Sequence, residues 1–346
     1  MQLIELTCPV CHGALQHEPE AYICAKDQKT YPVTFGIPDF RVFHDDVVET
    51  DCERSLIMQL SKEYPNRSFR DFIELDPVLD PAMPSSLLRR KRAHILGGCM
   101  SAKNSLAQIY RLVTLSEKGR FLELGCGPGG FLVAAADMFE TVVGLDLSLP
   151  RLIVAKKQLE ETGRQAVLIA ANAEFLPFPD GSFHLVVGSD VIEHVENPFR
   201  ALRESYRVLA SRGVIFLATP NRWSLTPEPH VNVWGVGFLP RAWREPYVRL
   251  VRKLPYRNIH LLNWFELRRL LRQTQLRQCQ IILPAFSSEQ TAQLPHWARM
   301  VVPLYHAIKD YAFTKWLVCL FGPLFHVVFV KDSQMGVKPS CLPPRH

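Results

Sequence analysis

Long apolar runs are missing from this sequence. Its densest stretch, Trp316 to Val330, is fifteen residues long and is interrupted by Gly322-Pro323. A helix needs about 20 consecutive apolar residues to cross a bilayer core, so no spanning segment is expected. No secretory leader is expected either, because MQLIELTCPV has no basic n-region and only a brief apolar run. Without that context the nine cysteines, an odd number, are expected as reduced thiols in the cytosol rather than as a disulfide framework. Charge is not extreme. The chain carries a net +6, and 47% hydrophobic with 21% charged residues is the balance of a globular protein. Its 346 residues suffice for two or three structural units, one of them large enough for a full core.

What is present is organised around Arg120 to Gly130, RFLELGCGPGG. Phe121, Leu122 and Leu124 read as a strand buried on both faces of a parallel sheet. Gly125, Gly127 and Gly129 remove Cβ atoms where the backbone has to turn tightly and approach a ligand, and Phe131 to Ala136 read as the first turns of a helix. Strand, glycine turn and helix N-terminus make a nucleotide-type pocket. Gly125, Gly127 and Gly130 also satisfy the dinucleotide pattern, so the neighbours have to decide. A second strand ends at Asp146, where a carboxylate can accept both ribose hydroxyls of an adenosine. Glu123, just before the turn, suits a ligand's ammonium group and would repel a pyrophosphate. Two further stretches follow strand ends: Asn172-Ala173-Glu174-Phe175-Leu176-Pro177-Phe178-Pro179-Asp180-Gly181-Ser182-Phe183 and Ser189-Asp190-Val191-Ile192-Glu193-His194-Val195. Together they favour S-adenosyl-L-methionine over NAD.

From about Gly119 to Thr219 the ordered motifs E-L-G-C-G-P-G, G-L-D, N-A-E-x-L-P-F-P-D-G-S-F and D-V-I-E-H-V resemble the class I S-adenosylmethionine-dependent methyltransferases, in particular the branch that methylates quinones and other small molecules. The resemblance implies an α/β fold: a doubly wound, seven-stranded Rossmann-like sheet. It implies a cofactor site at Glu123, Gly125, Cys126, Gly127, Gly129, Asp146, Leu147, Asn172, Ala173 and Asp190. Where the family usually has Asp this chain has Asn172, whose carbonyl oxygen can still accept from an adenine amino group. His194 is the best candidate base for a hydroxyl or amine acceptor because its unperturbed pKa is near neutrality. In similar quinone-pathway enzymes an acidic residue followed by Glu-His is linked with a divalent metal, which Asp190, Glu193 and His194 would match. Glu-His that merely shapes the loop is the bland alternative.

Strands are expected near 120–125, 141–146, 166–170, 183–189, 213–219, 278–283 and 325–330, with helices such as 149–162 and 198–209 between them. Residues 1–43 read as a small zinc-ribbon-like module. Cys8-Pro9-Val10-Cys11 places two thiolates on one tight turn, Cys24 follows a hairpin, and Asp27 stands where a fourth cysteine is expected. The module either binds Zn2+ through Cys8, Cys11, Cys24 and Asp27 or is a ribbon held by apolar packing alone. Residues 44–118 read as linkers and covering helices, with helices at 87–92 and 104–115. The methyltransferase-like domain runs over 119–331 with insertions at 221–263 and 285–322, and 332–346 reads as a disordered tail. The first insertion holds Trp223, His230, Trp234, Phe238 and Trp243, the makings of a substrate lid or of ordinary packing, and His230 is a second candidate base.

From Arg241 to Arg277 ten Arg or Lys face only Glu245 and Glu266, a net of +8. That suits phospholipid headgroups, a phosphorylated acceptor or RNA, unless it is simply a solvated face. The expected activity is methyl transfer to a small or lipid-linked acceptor, at oxygen, with peripheral membrane contact through the basic face and the C-terminal insertion. An rRNA base methyltransferase is the rival enzyme reading, weakened by the lack of an aromatic-stacking motif for a flipped base. A non-catalytic cofactor-binding subunit is the third.

Overall fold

The computed structural model describes residues 4–43, 50–74, 83–113, 115, 119–276, 279–283, 291, 296–309 and 311–331. The expected acidic linker at 44–46, most of the Pro-rich linker at 76–86 and the tail at 332–346 lie outside them.

Four short strands open the chain: β1 (Leu15–Glu18), β2 (Ala21–Cys24), β3 (Thr30–Thr34) and β4 (Ile37–Pro38), antiparallel in sequence order. Cys8, Cys24, Ile37 and Phe40 are fully or almost fully buried beneath them. Helices α1 (Thr50–Glu63), α2 (Phe69–Glu74), α3 (Ser85–Leu96) and α4 (Gly98–Leu112) follow. The last two run further toward each other than their sequence suggests. Gly97 caps α3, its N–H donating to the carbonyls of Ala93 and Ile95, and α4 starts at once on Gly98. Glycine is a poor helix former, so packing sets this start. A Cβ on Gly130 would lie 2.9 Å from the Gly98 carbonyl carbon, a backbone approach that only two glycines allow.

The large sheet contains β5 (Arg120–Leu124), β6 (Thr141–Asp146), β7 (Val167–Ala170), β8 (Phe183–Ser189), β9 (Leu209–Pro220), β10 (Gln280–Ile282) and β11 (Leu324–Val330). Their order is β10-β11-β9-β8-β5-β6-β7, the doubly wound arrangement, with β10 and β11 antiparallel at one edge. Glu123 stands opposite Gly144 on β6 and Val187 on β8, in the middle of the parallel ladder. Between strands run α5 (Gly130–Ala135), α6 (Leu149–Glu161) and α7 (Pro198–Val208). Ser148 caps α6, its hydroxyl accepting from the Arg151 N–H, and Pro150 sits in the first turn where its missing N–H costs nothing. β9 begins earlier than expected, directly after α7, with Arg212 in the left-handed region at φ 59°.

Within the first insertion lies α8 (Arg241–Arg252), and α9 (Trp264–Gln273) follows it behind a capping box of Asn263 and Glu266. The second insertion holds α10 (His296–Ile308) and α11 (Ala312–Phe321). No helix among the described residues is long and apolar enough to cross a membrane. Contacts divide the chain into two compact units, Met1–Gly188 with Arg200–Val214 and Ser189–Phe199 with Ile215–His346.

Candidate active site

In the first unit the glycine turn leaves β5 with Gly125 and Gly127 at positive φ, and Gly129, at φ 91°, starts α5. A Cβ on Gly127 would meet nothing within 4 Å, so this face of the turn opens on space. Cys126 is buried under it. Asp146 ends β6 and braces the turn: one carboxylate oxygen accepts from the Gly127 N–H at 2.8 Å and the other from the Ser148 N–H at 2.9 Å. An ionised carboxylate has about four acceptor sites, so two remain for a ligand's hydroxyls. Glu123 is only 6% exposed, and its Oε2 is buried without a partner. Burial, with the Asp146 charge behind it, pushes this carboxyl well above its ordinary pKa. A buried acceptor without a donor is unfavourable unless a ligand supplies one. Open backbone, a doubly braced Asp and an unpaired buried Glu therefore fit an adenosine that carries an ammonium group.

Residues 39–43 lie across the ends of β6 and β7. Asp39 bridges to Ala170, Phe40 N–H donates to the Ala170 carbonyl, and Arg41 donates to the Leu147 carbonyl at 3.1 Å. The Arg41 side chain is almost fully buried, held by Asp39 at 2.6 Å and Glu53 at 2.9 Å. Ala173 is buried beside Asn172. Asn172 is engaged from both ends, since its carbonyl accepts from the Val42 N–H at 2.9 Å and its amino group donates to the Phe43 carbonyl at 3.1 Å. This gives the departure from the family's Asp a physical reason: a carboxylate could not donate to Phe43. Asn172→Asp should therefore lower unfolding free energy by about 1–3 kcal/mol in denaturant titration, since a carbonyl loses its donor and faces a charge. An unchanged midpoint would contradict the clamp.

The N-terminal module gathers its expected ligands. One donor atom from each of Cys8, Cys11, Cys24 and Asp27 lies within 4.8 Å of every other. Cys11 and Cys24 sulfurs are 3.5 Å apart and the Cys8 thiol donates to Asp27 at 3.0 Å. Sulfurs bound to one tetrahedral zinc at about 2.3 Å stand roughly 3.8 Å apart, so the donor set fits that ion.

The second unit holds the expected bases. Asp190 follows β8 in the left-handed region at φ 54°, its N–H donating to the Ala218 carbonyl at 2.9 Å. Glu193 is fully buried and accepts from the Thr219 hydroxyl at 3.0 Å. Burial, then the Asp190 charge, pushes its pKa up to about 8. His194 is exposed, and its Nε2 lies 3.0 Å from Nε2 of His230. Glu193, His194 and His230 each bring a donor atom within 4.8 Å of the others, a set that can also hold a divalent cation.

Glu228 is the residue the sequence reading passed over. Only 5% exposed, it takes the Nδ1–H of His230 on one oxygen and the backbone N–H groups of His230 and Val231 on the other. Burial opposes a charge on His230, but the hydrogen bond and charge of Glu228, with Glu193 and Asp190 behind, outweigh it and hold the pKa above the ordinary value. The available signal was Glu228-Pro229-His230 itself, an acid two residues before an imidazole in an insertion rich in aromatics.

Residues 122–217 match the family model described as methyltransferase domain. Ajmaline N-methyltransferase of Rauvolfia serpentina is 28% identical over 156 residues, 41% of this chain and 54% of that protein. A ubiquinone biosynthesis O-methyltransferase of Dechloromonas aromatica (strain RCB) is 35% identical over 118 residues, 33% of this chain and 49% of its own. This chain spans about half the length of these curated relatives. Among solved structures, a methyltransferase of Thermotoga maritima described as a possible histamine N-methyltransferase covers 71% of this chain and 97% of its own, at 19% identity and a TM-score of 0.44. Residues 122–217 of this chain thus match a methyltransferase domain, and they lie on the doubly wound sheet described above.

Proposed function

We propose that the chain methylates a hydroxyl on a small organic or lipid-linked acceptor, using S-adenosylmethionine, and that its N-terminal module holds one Zn2+ for structure. Bound S-adenosylmethionine supplies an electrophilic methyl on a sulfonium. The chain's own residues have the remaining tasks. Glu123 takes the ligand's ammonium group and Asp146 its ribose hydroxyls, while Asn172 and Ala173 hold the adenine side through residues 42 and 43.

The observation that carries O-methylation is the chain of three groups Glu228, His230 and His194. With Glu228 holding Nδ1–H of His230, the network assigns the other proton: Nε2–H of His194 donates to the bare Nε2 of His230. In that tautomer Nδ1 of His194 carries the ring's lone pair. When it takes an acceptor's hydroxyl proton, the Nε2 proton passes to His230, and Glu228 stabilises the resulting imidazolium. A base of this kind serves a hydroxyl acceptor, which needs deprotonation.

His230 must be neutral at rest, so activity falls as pH drops through its raised pKa. Glu228→Gln removes the largest cause of the elevation; the acidic limb of the pH–rate profile should move to lower pH and kcat should fall by about 10²–10⁴. Candidate phenolic and quinol acceptors with labelled cofactor provide the assay. A Glu228→Gln limb that stays in place sinks the relay. Activity abolished by a chelator and restored by a divalent cation assigns Glu193, His194 and His230 to a metal instead.

A further inference from the structure

We propose that α8 docks on an anionic lipid surface. Helices of globular proteins bury one face, and α8 buries the one that carries Arg244 and Val248. It also has an apolar face that stays exposed. Trp243, Tyr247 and Leu250 are spaced i, i+4, i+7 and so share one side of the helix. There Trp243 is 68% and Leu250 82% exposed, and Val251 beside them is 50% exposed. The loop ahead of the helix adds to this surface: the Tyr247 hydroxyl donates to the Trp234 carbonyl at 3.0 Å, and the rings of Trp234 and Phe238, both exposed, have centroids 6.3 Å apart.

Charge commits this surface to one occupant. Between Arg241 and Arg257 there are six Arg or Lys and a single acid, Glu245, a net of +5. Glu245 is shared by Arg249 at 2.9 Å and Arg257 at 3.0 Å, so the one negative group is already doubly engaged. Tryptophans at headgroup depth, aliphatic tips below them and a basic rim to meet lipid phosphates are the composition of an interfacial helix. RNA could use the basic rim and stack on Trp243 or Trp234, but it would leave the exposed aliphatic tips of Leu250 and Val251 in water, whereas a lipid surface buries them. α10 also exposes Met300, Val301 and Leu304, yet has only Arg299 as a permanent cation, which is why α8 is chosen.

Full-length protein is sedimented, without cofactor, with vesicles of phosphatidylcholine alone and of phosphatidylcholine mixed with phosphatidylglycerol, so the result is independent of methyl transfer. Binding is expected only to the anionic vesicles, weakening as salt rises, with a blue shift of tryptophan emission. Leu250→Glu, at a position exposed enough to leave the melting temperature unchanged, should weaken it by about tenfold or more, since it removes apolar burial and adds a negative charge. Arg249→Glu should weaken it similarly, and Arg249→Lys should not. No binding to anionic vesicles, or binding indifferent to Leu250→Glu, overturns the proposal. So does a dimer in light scattering that Leu250→Glu dissolves, which would make this face an interface between copies. A mobility shift of rRNA fragments with no vesicle binding overturns it as well.

Discussion

Replacing Glu123 with Ala should weaken S-adenosylmethionine uptake by about a hundredfold or more while leaving the chain folded. Glu123 is buried in the central strand with Oε2 unpartnered, so its negative charge has no compensation inside the free protein. A cationic ligand is the compensation, and removing one partner of a buried charge pair costs about 3–5 kcal/mol. Glu123→Gln separates the effect on binding from the effect on folding. The wild-type carboxyl titrates well above its ordinary value in the fold. A group whose folded pKa is raised contributes its stability at low pH and loses it as pH rises. Above neutral pH the Gln variant should therefore melt at a higher temperature than wild type, and below the ordinary carboxylate range the two should converge. Binding lost together with stability at every pH would mean that Glu123 supports the sheet rather than the ligand.

Stripping metal from the N-terminal module should be the second large effect. Zinc binding to small modules provides on the order of 10 kcal/mol of apparent free energy in zinc-finger peptides, and the fold depends on it. Here three thiols and a carboxylate converge within 4.8 Å, with Cys8 and Cys24 completely buried. Protein purified without chelator should contain one zinc per chain by atomic emission. Cys24→Ser should release it, and strong chelation should lower the melting temperature and raise hydrogen exchange across β1–β4. Asp27→Cys completes a four-thiolate set and should hold zinc against a chelator that strips wild type. Metal-free protein with unchanged exchange protection would show that Tyr31, Ile37 and Phe40 carry the module alone. Residues 39–43 tie this module to Ala170, Leu147 and Asn172 by hydrogen bonds, so its loss should also weaken nucleoside binding.

The sheet was legible from sequence because its strands are buried on both faces: Phe121, Leu122, Val186, Val187 and Phe216 form apolar runs that only a covered sheet accommodates. The glycine turn and Asp146 were legible for the same kind of reason, since positive φ and braced N–H groups demand those residue types. The start of α4 was not, because the Gly98 and Gly130 backbones choose each other through a contact distant in sequence. Glu228 was missed because its place is tertiary: burial and the hydrogen bond to His230, which itself stands 3.0 Å from His194, set it apart from an ordinary surface acid. The second hydrogen bond of Asn172 was hidden likewise, since Phe43 is remote in the chain.

Isothermal titration calorimetry of the full chain with S-adenosylhomocysteine, S-adenosylmethionine and NAD is the most direct test. One site per chain for each sulfur nucleoside, none for NAD, and loss of the S-adenosylmethionine heat in Glu123→Ala is the predicted result. Heat with NAD and none with either sulfur nucleoside would contradict the assignment of the glycine turn, Glu123 and Asp146 as a sulfonium-nucleoside site.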